Sequence, residues 1–365
     1  MLSLAITAAA ALTAVGDDVD QTCSSIRAGI KGFSQHAFFE TEARDPEWDD
    51  PQPLIAAPAP GIDPMREAPH RLADLLLPVL ADLMRRARLE RRHLAECALL
   101  LALPEADPVT ERWSLERGLL AELTARSGLS FARVKTSRAG RPGMLCLLPE
   151  AARLFAARAA SRVILAGVDS YLTEERLSYL DGLYRLKSPR NVDGFIPGEA
   201  ASALLLMPAT RVEPRNTPIL GAFNSMGQAD EPQPFTLEPG SGAEGGGRRP
   251  GGQSVPLQST GRGLCGALRP ALAQPAGWIA CDLNGESYRA FEWGVAMARL
   301  GGELGPAARL VHPAIHHGDI GAATAGVLAA SVLAGFQRGY APAGDAVIWA
   351  ASDGPTRAAA RIARA

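Results

Sequence analysis

Short apolar segments alternate with alanine- and leucine-rich segments of helical periodicity along this chain of 365 residues. Residues 150–160, which follow Pro149, have helical spacing, and the apolar segment 163–167 comes directly after them. Residues 70–88 also predict a helix, and residues 93–103 predict a short buried strand. Because a strand, a helix and a second strand in this order imply a right-handed parallel crossover, we expect an α/β fold. The pattern recurs after the middle of the chain, which predicts two halves of similar construction.

The composition agrees with a large buried core and argues against several classes of protein. Hydrophobic residues make up 47% of the chain and charged residues 21%, which suits one large or two fused domains. The formal net charge of −2 provides no basic footprint for nucleic acid. The apolar N-terminal segment lacks the positively charged start of a signal peptide, and no segment reaches the roughly 20 apolar residues of a membrane helix. We expect a cytoplasmic protein without a nucleic-acid or membrane partner.

The residues that commonly bind metals or phosphates are not grouped in a recognisable motif. His312, His316 and His317 do not share one helix face and have no accompanying carboxylate or cysteine pattern. The glycine-rich residues 245–252 do not lead into a Lys-Ser or Lys-Thr pair. We therefore predict no metal and no cofactor. The cysteines are odd in number and scattered, which indicates free thiols in a reducing compartment: Cys23, Cys97, Cys146, Cys265 and Cys281.

Two segments rich in proline interrupt the pattern. Residues 227–263 contain GSGAEGGGRRPGGQ and several prolines, which predicts a flexible loop that is readily cleaved by proteases. This loop would separate an N-terminal half, residues 1–226, from a C-terminal half, residues 264–365. Residues 40–64 are acidic and proline-rich, and we interpret them as a surface loop, with a partner-binding peptide as the alternative.

Six segments resemble, in order, the sequence signatures of one enzyme family. The first strand is expected over residues 1–11, followed by a Gly-Asp-Asp turn and a helix. DGFIPGEAASALLLM at 193–207 is the most specific of the six. The others are SRVILAGVDS at 161–170, CDLNGESYRAFEW at 281–293, GDIGAATAG at 318–326, and the closing residues 346–362 with Ser352, Asp353 and Gly354 in place of a glycine-rich loop. Together these segments resemble the β-ketoacyl-ACP synthases of the thiolase superfamily.

The resemblance implies a thiolase-like αβαβα layered fold with two duplicated halves, each containing a mixed five-stranded sheet. It also implies a dimer, with a second copy or with a related chain, that pairs through a first-half strand near the nucleophile. Ketosynthases need a nucleophilic cysteine at a helix N-terminus and two histidines, or a histidine and an asparagine, that polarise the second acyl group. The corresponding positions in this sequence hold other residues.

Arg138 or Ala139 stands at the position of the nucleophile, Asp282 at the first histidine and Gly318 at the second. An aspartate cannot donate a hydrogen bond to a thioester oxygen unless its pKa is raised far above about 3.9. We predict a vestigial pocket without catalytic residues, lined by Arg138, Ala139, Asp282, Asn284, Gly318 and Asp319.

Two residues are candidates for a relocated catalytic pair. Cys146 would need a short gap in the alignment to reach the nucleophile position, and we favour a packing role for it beside Leu147, Leu148 and Leu154. His317 would need a slip of one residue, which in a strand would point its side chain away from the pocket. Glu199 is interpreted as a turn or interface residue that accepts hydrogen bonds from backbone donors.

The sequence therefore favours a non-catalytic ketosynthase-like protein that acts as a binding, adaptor or accessory protein. Its partner would be an acyl-processing enzyme, or components of type VI secretion. The alternative is an active 3-oxoacyl-ACP synthase or acyltransferase that uses Cys146 and His317.

Overall fold

Ten strands form one continuous mixed sheet in the computed structural model, which describes residues 3–41, 50–189, 191–212, 217–235, 258–305 and 308–365. A separate pair of strands, β2 and β3, forms a two-stranded sheet. The strands of both sheets are β1 Leu4–Thr13, β2 Ser34–Thr41, β3 Gln52–Ala56, β4 Cys97–Ala102, β5 Arg133–Ser137, β6 Arg162–Ser170, β7 Glu199–Pro208, β8 Gly221–Asp230, β9 Trp278–Cys281, β10 Arg309–Val311, β11 Asp345–Ala351 and β12 Thr356–Ala363. The helices are α1 Val19–Ala28, α2 His70–Arg86, α3 Leu115–Ser127, α4 Gly143–Cys146, α5 Leu148–Ala156, α6 Glu174–Gly182, α7 Arg262–Leu268, α8 Ser287–Leu300, α9 Ala314–His317 and α10 Thr324–Arg338.

The sheet consists of two halves with the same topology. Its strand order is β5-β4-β6-β7-β1 in the first half and β10-β9-β11-β12-β8 in the second. In each half the first three strands of that order are parallel and the last two pair antiparallel. The halves join through a short antiparallel pairing of β1 with β8, from Leu4 opposite Phe223 to Ile6 opposite Gly221. The predicted duplication with mixed five-stranded sheets is confirmed, and the two sheets are continuous.

Helices lie between and outside the two halves of the sheet, which gives the predicted αβαβα layering. The central layer contains α4, α5 and α10, whose apolar residues share one core with strands of both halves. The outer layer of the first half contains α2 and α3, and that of the second contains α7 and α8. Residues 324–336 of α10 are all buried, which agrees with their lack of a polar face. No helix in the described ranges is long and apolar enough to cross a membrane.

Strand β1 is buried along its whole length because both of its faces are covered. Leu4 and Ile6 pack in the central core, whereas Ala8 and Ala10 pack against the outer layer of the first half. The expected strand over residues 1–11 is therefore present, shifted by a few residues. The predicted helices at 70–88 and 150–160 and the strand at 163–167 are also present, as α2, α5 and β6.

Four predicted segment boundaries differ from the structure. The predicted loop at 227–263 is shorter at both ends, because residues 227–230 belong to β8 and its last two residues, Arg262 and Gly263, begin α7. Residues 236–257 of this loop lie outside the described residues. Because β8 pairs with β12 and occupies the place that β1 has in the first half, the second half begins at β8 and not at residue 264. Residues 52–56 of the predicted surface loop form β3, which pairs with β2, and residues 42–49 lie outside the described ranges. Residues 91–96 form a 3₁₀ helix before β4, not the start of a strand.

Candidate functional site

Loops from both halves meet beside the central layer and bring buried polar side chains together. The loops that follow β5, β9 and β11 begin at the carboxyl ends of parallel strands, which is where open α/β sheets commonly bind ligands. The buried ionic cluster, as we name it, consists of Arg141, Arg185, Asn284, Glu286, Arg289, Asp319 and Asp353.

Arg141 joins the two halves through its contacts with Asp319 and Asp353. Its Nε and Nη2 donate to Asp319 Oδ2 at 2.8 and 2.5 Å, and its Nη1 donates to Asp353 Oδ1 at 3.0 Å. Asn284 Nδ2 donates to the same Asp319 oxygen at 2.7 Å. Burial acts to lower the pKa of Arg141, but the Asp319 carboxylate outweighs it and holds that pKa well above its usual range. The guanidinium therefore stays charged.

Asp353 lies at the turn between β11 and β12 and accepts hydrogen bonds from three guanidiniums. Arg185 Nη1 donates to Asp353 Oδ2 at 2.6 Å, and Arg289 Nη2 and Arg141 Nη1 donate to Oδ1. Burial favours the neutral acid, but the guanidiniums outweigh it and hold the pKa of Asp353 well below its usual range. Glu105 accepts the backbone N–H groups of Asp353 and of Gly354 at 2.9 and 2.7 Å, which fixes the turn.

Glu286 completes the cluster on the side of the second half. Arg185 Nε and Nη2 donate to Glu286 Oε1 at 2.9 and 2.8 Å, and Arg289 Nε donates to Oε2 at 3.2 Å. Asn284 Nδ2 also donates to Glu286 Oε2 at 3.0 Å. The charged groups of the cluster thus satisfy one another in a largely buried environment, at whose margin the Asp353 side chain is 27% exposed. An unpaired charge among the buried members would be costly.

Asp282 and His317 line one small cavity next to the cluster. Asp282 Oδ2 accepts the backbone N–H of Ala351 at 2.8 Å, and burial raises the pKa of Asp282 to about 6. His317 Nδ1 hydrogen-bonds the Gly318 carbonyl at 2.9 Å, and burial lowers the pKa of His317 to about 4. Asp282 Oδ1 and His317 Nε2 have no partner among the described residues. The cavity has a volume of about 10 Å³, enough for about one water.

The position of His317 corrects one prediction. A slip of one residue was expected to turn its side chain away from the pocket, yet His317 lines the same cavity as Asp282, Gly318 and Asp319. The alternation of a strand does not apply, because His317 is the last residue of the short helix α9. Gly318 follows at a φ of 68°, and a Cβ there would lie 2.6 Å from the Ile196 carbonyl oxygen, so the close approach requires glycine.

Arg138 and Ala139 lie on the same loop as Arg141, but the Arg138 side chain makes different contacts. Arg138 Nε donates to the Pro104 carbonyl at 2.7 Å, and its Nη2 donates to Thr110 Oγ1 at 2.9 Å. The side chain therefore holds the segment after β4, and Arg141 is the arginine of this loop that enters the ionic cluster.

Sequence reasoning missed five residues of the site. Their residue types gave little signal, because arginine and the acidic residues are usually exposed. The available hints were positional, because Arg141 lies close to the predicted nucleophile position and Glu286, Arg289 and Asp353 lie in segments that resemble the family. The missed residues are Arg141, Arg185, Glu286, Arg289 and Asp353.

Cys146 ends α4 and packs against the central core. Burial raises the pKa of its thiol to about 12, and the Asp230 carboxylate acts in the same direction. Cys146 is not among the side chains that line the cavity around His317. This environment suits a packing residue, because little thiolate is present at neutral pH.

Glu199 is buried and fully paired at the start of β7. Arg71 Nε and Nη2 donate to its two carboxylate oxygens at 2.6 and 3.0 Å, and Ser170 Oγ donates at 2.8 Å. The Ala59 backbone N–H donates to Glu199 Oε1 at 3.1 Å, as the interpretation of Glu199 as an acceptor for backbone donors expected.

Solved structures identify the fold. No protein-family model matches the sequence, and no curated protein matches it. One similar structure is a chain of the AntDE:AntF complex, which is a type II PKS acyl-carrier protein in complex with its ketosynthase bound to the hexaketide. The TM-score is 0.75 and the sequence identity is 12%, and the match covers 100% of this chain and 99% of that chain. The chain has the thiolase-like fold of ketosynthases.

Two further structures with this ketosynthase fold are similar over nearly the whole of this chain. The ketosynthase from module 6 of the bacillaene synthase of Bacillus subtilis 168 has a TM-score of 0.72 and 14% identity over 100% of this chain and 72% of that chain. The ishigamide ketosynthase/chain length factor has a TM-score of 0.69 and 16% identity over 99% of each chain. The similarity thus extends over both halves of the ketosynthase-like chain.

Proposed function

We propose that this ketosynthase-like protein is non-catalytic and acts as the binding or adaptor partner of an acyl-processing enzyme. The observation that carries the proposal is the buried ionic cluster at the point where the loops of both halves meet. Arg141, Arg185 and Arg289 are each held by carboxylates there. Their charges are fixed and mutually satisfied, so these groups are unsuited to take up or release a proton at neutral pH.

The size of the adjacent cavity supports the same proposal. The cavity that Asp282 and His317 line has a volume of about 10 Å³, whereas small-molecule sites begin near roughly 300 Å³. A thioester substrate would therefore need a large rearrangement of buried charged groups to reach either residue. Such a rearrangement would separate ion pairs in a buried environment, which is strongly unfavourable.

The exposed edge of the first half supports a dimer as the working assembly. Strand β5 is the outermost strand on that side of the sheet, and its Val134 side chain is 41% exposed. The sequence resemblance implies pairing through a first-half strand near the nucleophile position, and β5 directly precedes that position. We propose that β5 pairs with a second copy or with a related ketosynthase-like chain. One of the similar structures is a ketosynthase/chain length factor.

Thiol reactivity distinguishes the adaptor from an enzyme that uses Cys146 and His317. The intact mass of the full chain would be followed with an acyl thioester and with iodoacetamide at neutral pH. We expect no rapid change at Cys146, because its raised pKa leaves little thiolate. The same protein unfolded in guanidinium would show the maximal labelling of the five cysteines.

Rapid stoichiometric acylation at Cys146 that disappears in the variants Cys146→Ala and His317→Ala would overturn the proposal. Acylation of Cys146 that persists in His317→Ala would also contradict a packing role for Cys146. It would not support a catalytic pair of Cys146 and His317.

A further inference from the structure

A second and larger cavity lies beside the edge strand β10 of the second half. Its volume is about 250 Å³, and its walls come from α1, β9, β10, α9 and α10. It is separate from the buried ionic cluster, and of the residues around the His317 cavity it shares only Pro313. Its volume is close to the lower end of the roughly 300–1,000 Å³ range of small-molecule sites.

Three nitrogen atoms of its lining residues are buried without a hydrogen-bond partner among the described residues. They are Trp278 Nε1, His312 Nδ1 and His316 Nδ1, and the Trp278 side chain is 95% buried. All three nitrogens are inaccessible to solvent, so they lie behind the surface of the cavity. Burial lowers the pKa of both histidines, so both rings are mainly neutral at neutral pH, and the remaining ring nitrogen of His316 donates to the Ile30 backbone carbonyl.

The cavity is better suited to an organic ligand than to a metal ion. In the described part of the chain, no group of three or more His, Cys, Asp or Glu side chains is arranged to hold a metal. The cavity wall is otherwise mostly apolar, with Ile26, Leu310 and Ile315 among its residues. The wall therefore suits a ligand with an apolar body.

The charges around the cavity favour an anion. Arg27 and Arg309 line it, whereas none of the described lining residues is Asp or Glu. Arg27 lies over the Tyr340 ring, 4.1 Å from its centroid, which holds the guanidinium at the cavity. Two cations at an apolar cavity without an opposing carboxylate attract a negatively charged group.

We propose that this cavity binds a small monocarboxylate with an apolar body. The carboxylate would lie near Arg27 and Arg309, and the apolar body would lie against Leu310 and Ile315. The proposal does not depend on whether the protein is an adaptor or an enzyme, because none of these residues belongs to the ionic cluster.

Calorimetric titration of the full chain with octanoate, octan-1-ol and octylamine tests the proposal, because the three probes share one apolar chain and differ in charge. We expect saturable binding of one octanoate, with at least tenfold weaker binding of the alcohol and of the amine. Arg309→Glu should weaken octanoate binding at least tenfold, while Arg117→Glu, which changes an exposed arginine on α3, should leave it unchanged.

Thermal unfolding of each variant shows whether it is folded. Because Arg309 is exposed, Arg309→Glu should fold normally, and a loss of octanoate binding in this variant can be attributed to the missing cation. Equal binding of octanoate and octylamine would overturn the proposal. So would the absence of a saturable site, or an affinity of Arg309→Glu equal to that of the wild type.

Discussion

At the scale of single residues, the most consequential feature is how the buried charges depend on one another. Asp353 accepts from three guanidiniums, and Arg141 and Asn284 share Asp319. Removal of one partner from such a network leaves an opposite charge buried and unpaired, which costs more than the loss of the contact itself. The stability of the protein is therefore expected to be sensitive to each member of the cluster.

Arg141→Ala should lower the free energy of unfolding by about 3–5 kcal/mol, because Asp319 and Asp353 would lose a buried guanidinium. The matched control is Arg153→Ala, which removes an exposed ion pair with Glu150 and should change stability little. Urea denaturation followed by circular dichroism measures both. A loss in Arg141→Ala no larger than in Arg153→Ala would contradict the structural importance of the cluster.

His317 should make stability depend on pH. Because burial lowers the pKa of His317 from 6.5 to about 4, the unfolded chain binds a proton below pH 6.5 that the folded chain does not. The stabilisation is complete above pH 6.5 and is lost as the pH falls to about 4, by about 3 kcal/mol in total. His317→Asn, which retains a donor for the Gly318 carbonyl, should lack this dependence.

The pH dependence of the wild type must be compared with that of His317→Asn, because Asp282 titrates in the same pH range and changes stability in the opposite direction. Its raised pKa increases stability as the pH falls through about 6. The measured quantity is the difference in unfolding free energy between wild type and His317→Asn from pH 7 to pH 4. A difference that stays constant over this range would show that His317 is not buried in its neutral form.

At the scale of secondary-structure elements, α10 determines how closely the central layer approaches the sheet. Gly326 of α10 faces Ser202 of β7, whose Oγ donates to the Ala323 carbonyl at 2.8 Å and is thereby held in place. A Cβ at Gly326 would lie 2.2 Å from that Oγ. Glycine is therefore required here for packing, although it is a weak helix former.

Gly326→Ala should destabilise the protein by about 1–3 kcal/mol through overpacking. Gly294→Ala is the matched control, because Gly294 also lies within a helix, α8, and nothing lies within 4 Å of its Cβ position. The control should stabilise the protein by about 0.5–1 kcal/mol through helix propensity. Thermal or chemical unfolding would show opposite signs, and equal effects would argue against close packing of α10 on β7.

At the scale of the whole molecule, the duplicated sheet ends in two edge strands, β5 and β10. An exposed edge strand can pair with another chain unless charges or a covering segment prevent it. The two edges differ in length, because β5 has five residues and β10 has three. The longer edge on the first half is the better candidate for pairing between chains.

Val134→Glu should convert a dimer of the full chain to monomers, because it places a charge on the exposed apolar side chain of β5. Val192→Glu is the matched control, since Val192 is 69% exposed and lies in the loop before β7. Sedimentation velocity measures the mass of each species. A wild-type monomer, or a Val134→Glu variant that remains dimeric, would count against pairing through β5.

The sequence by itself determined several elements and the layered arrangement. Helical periodicity predicted α2 and α5, the apolar segments predicted β1 and β6, and the family resemblance predicted the duplicated layers. The helices and strands are local features, because each depends on residues that are neighbours along the chain. Strand β8 escaped prediction because its sequence, GAFNSMGQAD, lacks an apolar pattern, and its pairings with β1 and β12 define it.

Only the tertiary structure decided which charged residues are buried and what surrounds them. Arg141 and its partner Asp353 are 212 positions apart, and Arg185 and Asp353 are 168 apart, so no local pattern joins them. An arginine in a loop is expected to be exposed, and it can be buried only where distant carboxylates compensate its charge. The convergence of loops from both halves supplies that compensation, because the duplicated topology places these strand ends side by side.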